Sequence, residues 1–136
     1  MKLFVDTNVI LDVILHRDDF YDASLAVLRL CEKGDCGGHI SALTVANLHY
    51  IVCKAIGREK TDESLQIILK VFHVAELTAT DLKEALKRKS ADFEDALQMS
   101  AAERVKADYI ITRDIKHFVG GKIKAISPMD FIKKIS

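Results

Sequence analysis

The chain has 136 residues, 49% of them apolar and 29% charged, which is the balance of a soluble globular domain and not of a disordered one. Lys and Arg total 20, as do Asp and Glu, so the formal charge is zero and no net basic field advertises a nucleic-acid partner. Three cysteines without a CxxC pair speak against a disulfide framework or a standard zinc site. No run reaches the length of a membrane span and the first residues enter a strand with no leader, so one cytoplasmic domain over residues 1–136, without membrane contact, is expected.

Leu3-Phe4-Val5 reads as a short strand buried on both faces, and Asp6-Thr7-Asn8 as the turn into a helix from Val9 to Leu15. His16 to Asp19 is a polar break. A second helix runs from about Tyr21, with Ala23, Ala26, Val27 and Leu30 on one face, and stops near Gly34 in a Gly-rich loop through Gly38. The glycines lack the order of a phosphate loop and read as a turn. His39 to Ala42 is a weak second strand, followed by a helix from Thr44 to Ile56, a turn over Gly57 to Lys60, and a helix from Asp62 to Phe72 carrying Leu65, Ile68, Leu69 and Phe72 at helical spacing.

A third strand is expected at Val74 to Leu77, then a short helix capped by Thr80. Lys87 to Ala91 is a charged connection, Asp92 to Lys106 a helix, and Asp108 to Thr112 a strand with Arg113-Asp114 directly after it. Gly120-Gly121 marks a turn before a last strand from Ile123 to Ile126, and Ser127-Pro128 opens the final helix with Ser as N-cap and Pro at the first helical position. Short strands alternating with helices predict an α/β fold on a parallel sheet.

Three segments place acids where such a fold gathers its chemistry, at the carboxyl ends of parallel strands. Asp6 ends the first strand, Asp114 follows the Asp108 to Thr112 strand, and Asp92, Glu94 and Asp95 crowd the start of the helix before it. Each has a plain explanation: Asp6, Thr7 or Asn8 caps a helix, Asp92 with Asp95 resembles a capping box, Asp114 caps a turn, and Glu94 faces solvent. That two apolar strands both end in Asp is what the plain explanations leave over. Converging carboxylates would repel by about 4 kcal/mol per close pair at an effective dielectric near 20, so a cluster would call for a cation. Oxygen-only ligands point to Mg²⁺ or Mn²⁺. His16, His39, His49, His73 and His117 show neither HExxH nor HxH spacing and read as structural or surface residues.

FVDTNVILD (Phe4 to Asp12), SALTVANL (Ser41 to Leu48), DFEDALQMSAA (Asp92 to Ala102) and DYIITRD (Asp108 to Asp114), in this order, resemble the PIN-domain nuclease family over essentially the whole chain. The resemblance implies a three-layer α/β/α sandwich around a short parallel sheet and Mg²⁺- or Mn²⁺-dependent cleavage of RNA. Small bacterial and archaeal members are often VapC-like toxins paired with an antitoxin, and a homodimer is implied. Carried over by position, Asp6, Asp95 and Asp114 match the family's metal-binding catalytic acids, Asp92 an outer ligand, and Asn8 and Thr112 supporting positions. The departure is Asn47, where many members carry Glu: an amide oxygen orients water but adds no negative charge. Lys116, Arg113, Arg17 and the run Lys87-Arg88-Lys89 read first as solvated surface charges and second as phosphate contacts.

Haloacid-dehalogenase-like phosphotransferases, which use Asp-x-Asp, are disfavoured by Asn8, and receiver domains by the missing acidic pair. The competing reading is a catalytically degenerate PIN-like domain that binds RNA or protein without cutting, with Asn47 as its support.

Overall fold

The computed structural model describes residues 1–89 and 92–136. Strands β1 (Lys2–Val5), β2 (Gly37–Ser41), β3 (His73–Ala75), β4 (Tyr109–Ile111) and β5 (Lys124–Ile126) form one parallel sheet in the order β3-β2-β1-β4-β5. The helices are α1 (Thr7–Ile14), α2 (Asp18–Lys33), α3 (Ala42–Ile56), α4 (Arg58–Val71), α5 (Ala79–Lys87), α6 (Phe93–Arg104) and α7 (Pro128–Ile135), with a 3₁₀ turn over Ile115–Phe118. Because β1 pairs with β2 on one side and β4 on the other, the strand order reverses at β1, and Asp6 emerges at that switch point.

The twofold alternation of β1 builds both cores. Leu3 and Val5 pack with Val9 and Ile10 of α1, Val27 of α2, Leu48 and Val52 of α3, Ile68 of α4 and Phe131 of α7. Phe4 faces the opposite layer, against Met99, Ala101 and Ala102 of α6, with Ile110 and Phe118. Each such large apolar side chain contributes on the order of 2 kcal/mol by leaving water. The alanines of α6 let that helix lie close on the sheet, and α5 packs outside it through Ala85, Ala96 and Leu97. This is the expected α/β/α sandwich around a parallel sheet.

Element ends differ from the sequence reading where side chains supply caps. Helix α1 starts at Thr7 because Asp6 accepts from the Thr7 amide (2.8 Å), and α3 starts at Ala42 because Ser41 caps it through the Thr44 amide. Helix α2 begins at Asp18, so the polar break is shorter than expected. Thr78, not Thr80, caps α5, in a reciprocal capping box with Asp81. The expected turn from Gly57 to Lys60 shrinks to Gly57 alone, whose φ of 83° and ψ of 166° suit only glycine, and α4 begins at Arg58. Gly37 and Gly38, expected in a loop, open strand β2. In the connection expected from Lys87 to Ala91, Ser90 and Ala91 lie outside the described residues.

Register lines up the polar residues at the carboxyl edge. Val5 pairs with Ile111 and Ile111 with Ile126, so Asp6, Thr112 and Ser127 stand in one row, each immediately after a buried apolar residue. Ser41, at the end of β2, caps α3 on the other flank of Asp6.

Candidate functional site

Asp6 is buried, and four donors reach its carboxylate. Oδ1 accepts from the Thr7 amide (2.8 Å) and from Gln98 Nε2 (3.5 Å); Oδ2 accepts from Thr112 Oγ1 (2.8 Å) and Asn8 Nδ2 (3.3 Å). Burial pushes its pKa up, hydrogen bonds from Thr112 and Thr7 oppose the shift, and the nearby Asp114 charge adds to it. Asp6 thus caps a helix and also belongs to an acidic cluster. The two readings are not alternatives at this position.

Asp114 is exposed, two residues past Thr112, whose hydroxyl accepts from the Asp114 amide (3.0 Å). Asn8 Nδ2 donates to Asp114 Oδ2 (3.1 Å). Asp95 stands on α6 across the cleft, half-buried, with Oδ2 3.3 Å from His117 Nδ1. Its pKa rises to about 7, through burial first, then the hydrogen bond and charge of Asp92, against the lowering effect of His117 and with a small push from Asp6.

A cleft of about 210 Å³ is lined by Asp6, Asn8, Asn47, Glu94, Asp95 and Asp114, with Leu11, Leu43 and Ile51 as apolar wall. Structure therefore brings Asp6, Asp95, Asp114, Asn8 and Asn47 together, and Thr112 beneath Asp6. Asp92 is outside the cleft lining: it is exposed and caps α6 by accepting from the Asp95 amide (2.8 Å). Glu94 is exposed as expected, yet it reaches the cleft rim.

The donors facing the cleft are oxygens of carboxylates and amides, the set a hard divalent cation takes. Among the described residues no three His, Cys, Asp or Glu side chains stand as a ready-made ion cage. Asp6 and Asp114, tied through Asn8, could hold such an ion, with Asp95 facing it.

Sequence reasoning missed a second tier. Gln98 is buried, takes a hydrogen bond from Ser41 Oγ (2.6 Å) and donates to Thr44 Oγ1 (2.8 Å), linking Asp6 to α3. Its position one helical turn after Asp95 was the available signal. His117, read as a structural or surface residue, pairs with Asp95. Arg113, read first as a solvated charge, instead grips Asp12, which is fully buried, and lies 3.9 Å over the Phe20 ring. Arg17 also faces Asp12 (3.6 Å), and Arg88 pairs with Glu103. Lys87 bridges to Glu84 on an exposed face and Lys116 is exposed, as expected of surface charges.

Acids gathered at the switch point of an open parallel sheet make the sheet's carboxyl edge the candidate site of this α/β protein. The family model of the PIN domain matches residues 2–116, and the chain belongs to the PIN-domain family. Among solved structures, a chain of VapBC2 from Rickettsia felis, bound to a promoter DNA fragment, is 23% identical, with 93% of this chain and 98% of that chain covered and a TM-score of 0.70. FitAcB from Neisseria gonorrhoeae is 22% identical over 93% and 98%, with a TM-score of 0.68. VapC20 from Mycobacterium tuberculosis, described as a Sarcin-Ricin loop cleaving toxin, is 17% identical over 79% and 86%, with a TM-score of 0.64. These structures share the fold of this chain. Comparison with curated proteins found no match. Among the described residues no helix is long and apolar enough to cross a membrane.

Proposed function

We propose that this chain acts as one PIN nuclease domain that hydrolyses RNA phosphodiester bonds with Mg²⁺ or Mn²⁺, as the toxin of a toxin–antitoxin pair. The observation that carries this reading is that Asp6, Asp95 and Asp114, from three separate segments, line one cleft. Asp6 and Asp114 would hold the cation, and Asp95 would complete the negative cup. When bound, the ion supplies Lewis-acid polarisation of a phosphoryl oxygen and a water of lowered pKa.

The chain's own groups do the rest. Thr7, Thr112, Asn8 and Gln98 donate to Asp6 and so favour its ionised form against burial. Asp95 accepts hydrogen bonds and orients the attacking water. Leu11, Leu43 and Ile51 give the cleft an apolar side for the substrate to lie against. A similar structure, a toxin–antitoxin complex from Klebsiella pneumoniae, supports an antitoxin partner by analogy, and a homodimer is proposed from the family resemblance alone.

The test is purified protein with labelled single-stranded RNA, in EDTA and in Mg²⁺ or Mn²⁺. Asp6→Asn, Asp95→Asn and Asp114→Asn should each lower the metal-dependent rate by roughly a hundredfold or more. Equal cleavage by wild type and variants in EDTA would mean a contaminating ribonuclease and overturn the claim. Asn47 on the cleft wall favours a second reading, a degenerate domain that binds RNA or protein. RNA binding without cleavage at saturating Mn²⁺ would select it.

A further inference from the structure

Segment Thr112 to Asp114 is held against the first two turns of α1 by three successive contacts. Thr112 Oγ1 donates to Asp6 at 2.8 Å, the Arg113 amide donates to Asn8 Oδ1 at 3.3 Å, and the Arg113 guanidinium reaches Asp12 through Nε at 2.8 Å and Nη2 at 3.1 Å. Asn8 and Asp12 are one helical turn apart, so Arg113 spans a full turn of α1 with its amide at one end and its guanidinium at the other. Asp12 is fully buried and is further satisfied by Ser24 Oγ at 3.2 Å and Arg17 at 3.6 Å.

A buried ion pair is a poor device for stability alone, since desolvation offsets much of its attraction and apolar side chains of like volume often serve as well. What the pair does provide is direction. A two-point guanidinium–carboxylate fork fixes orientation as well as distance, and the Phe20 ring beneath the guanidinium leaves it little room to swing. The residue so fixed is bonded directly to Asp114.

We propose that the Asp12–Arg113 pair is a positioning device that sets where Asp114 stands relative to Asp6 and thereby the cleft's affinity for a divalent cation. The proposal rests on the metal-dependent nuclease reading above. Arg113 is on this account a positioning residue that acts through Asn8 and Asp114.

The test compares wild type with Arg113→Lys, which keeps charge and loses the fork, and Arg113→Met, which loses both. Mn²⁺ binding is measured by calorimetry, with melting in EDTA as the check that each variant folds. Expected is a loss of about tenfold or more in Mn²⁺ affinity, the size seen when the partner of a metal ligand is removed. RNA hydrolysis by Arg113→Lys should need correspondingly more Mn²⁺ yet recover most of its rate at saturation, a split that general destabilisation would not give. If Arg113→Met does not fold, Ser24→Ala and Arg17→Gln, each removing one contact to Asp12, should shift Mn²⁺ affinity in the same direction by less. Folded variants that bind Mn²⁺ as tightly as wild type overturn the positioning role while the nuclease reading stands. Wild type that neither binds Mn²⁺ nor cleaves RNA overturns both.

Discussion

Asn8 Nδ2 lies 3.3 Å from Asp6 Oδ2 and 3.1 Å from Asp114 Oδ2, so a single neutral amide donates to carboxylates from the ends of two adjacent strands. Without a cation, this amide is the side chain that bridges the two charges. Its removal leaves their repulsion less compensated. Asn8→Ala should therefore destabilise the protein in EDTA by about 1.5–3 kcal/mol, the range for hydrogen bonds to charged groups. Urea unfolding measures it, and added Mn²⁺ should narrow the gap. A variant that unfolds with wild type in EDTA would mean that Asn8 bridges nothing of consequence.

Asp95 makes stability fall with pH in the metal-free protein. Its folded pKa is raised to about 7 from the ordinary value of 3.8, so the folded state binds the proton more tightly than the unfolded chain does. The contribution is fully present below the unfolded pKa, declines as pH rises through this window, and is gone above about 7. Asp95→Asn should thus be the more stable protein at pH 8 in EDTA, by on the order of 1 kcal/mol after allowance for solvent screening. Chemical denaturation of both proteins at pH 4.5, 6 and 8 would show the curves diverging; parallel curves would remove the electrostatic basis of the cleft.

Metal should reverse that sign. An ion binds the deprotonated carboxylate, so Mn²⁺ affinity should rise between pH 6 and 8 and binding should release protons. Calorimetry in two buffers of different ionisation enthalpy counts those protons, and none released at pH 6 would place Asp95 away from the ion.

Asn47 lines the same cleft as the strand-end acids. Asn47→Glu adds a hard anionic ligand there and should tighten Mn²⁺ binding by roughly tenfold while lowering stability in EDTA through added like-charge repulsion. Unchanged Mn²⁺ affinity would put this position outside the reach of the ion.

Gly38 is required by packing. A Cβ there would fall 2.7 Å from Phe72 Cδ1 and 2.8 Å from Cys31 Sγ, both buried where β2 meets α2 and the end of α4. Gly38→Ala should lower stability by about 1–3 kcal/mol, as overpacking does. Gly34→Ala is strained for another reason, its φ of 82° at the end of α2, and meets no atom within 4 Å. The two should therefore be separable by a large-to-small change of Phe72, which relieves part of the Gly38→Ala clash, Cys31 remaining close, and none of the Gly34→Ala strain.

Local chemistry along the chain determined the layers and the acids. The alternation of Leu3, Phe4 and Val5, the helical stripe through Leu65 and Ile68, and Asp placed directly after apolar strands are nearest-neighbour patterns, because side-chain direction in a strand or helix follows from backbone period alone. The family's spacing then singled out Asp95 from Asp92 and Glu94. Tertiary structure decided what periodicity does not encode. Strand order β3-β2-β1-β4-β5 sets Asp6 beside Thr112, and Asn8 in turn meets Asp114, residues more than a hundred positions apart. The same folding gave Arg113 to Asp12 and His117 to Asp95, partnerships invisible in sequence because a charge carries no local mark of which distant opposite charge it will meet. Caps fell between these limits: Thr78 and Thr80 are chemically equal, and only Asp81, three residues after Thr78 and reaching back to its amide, settled which one opens α5.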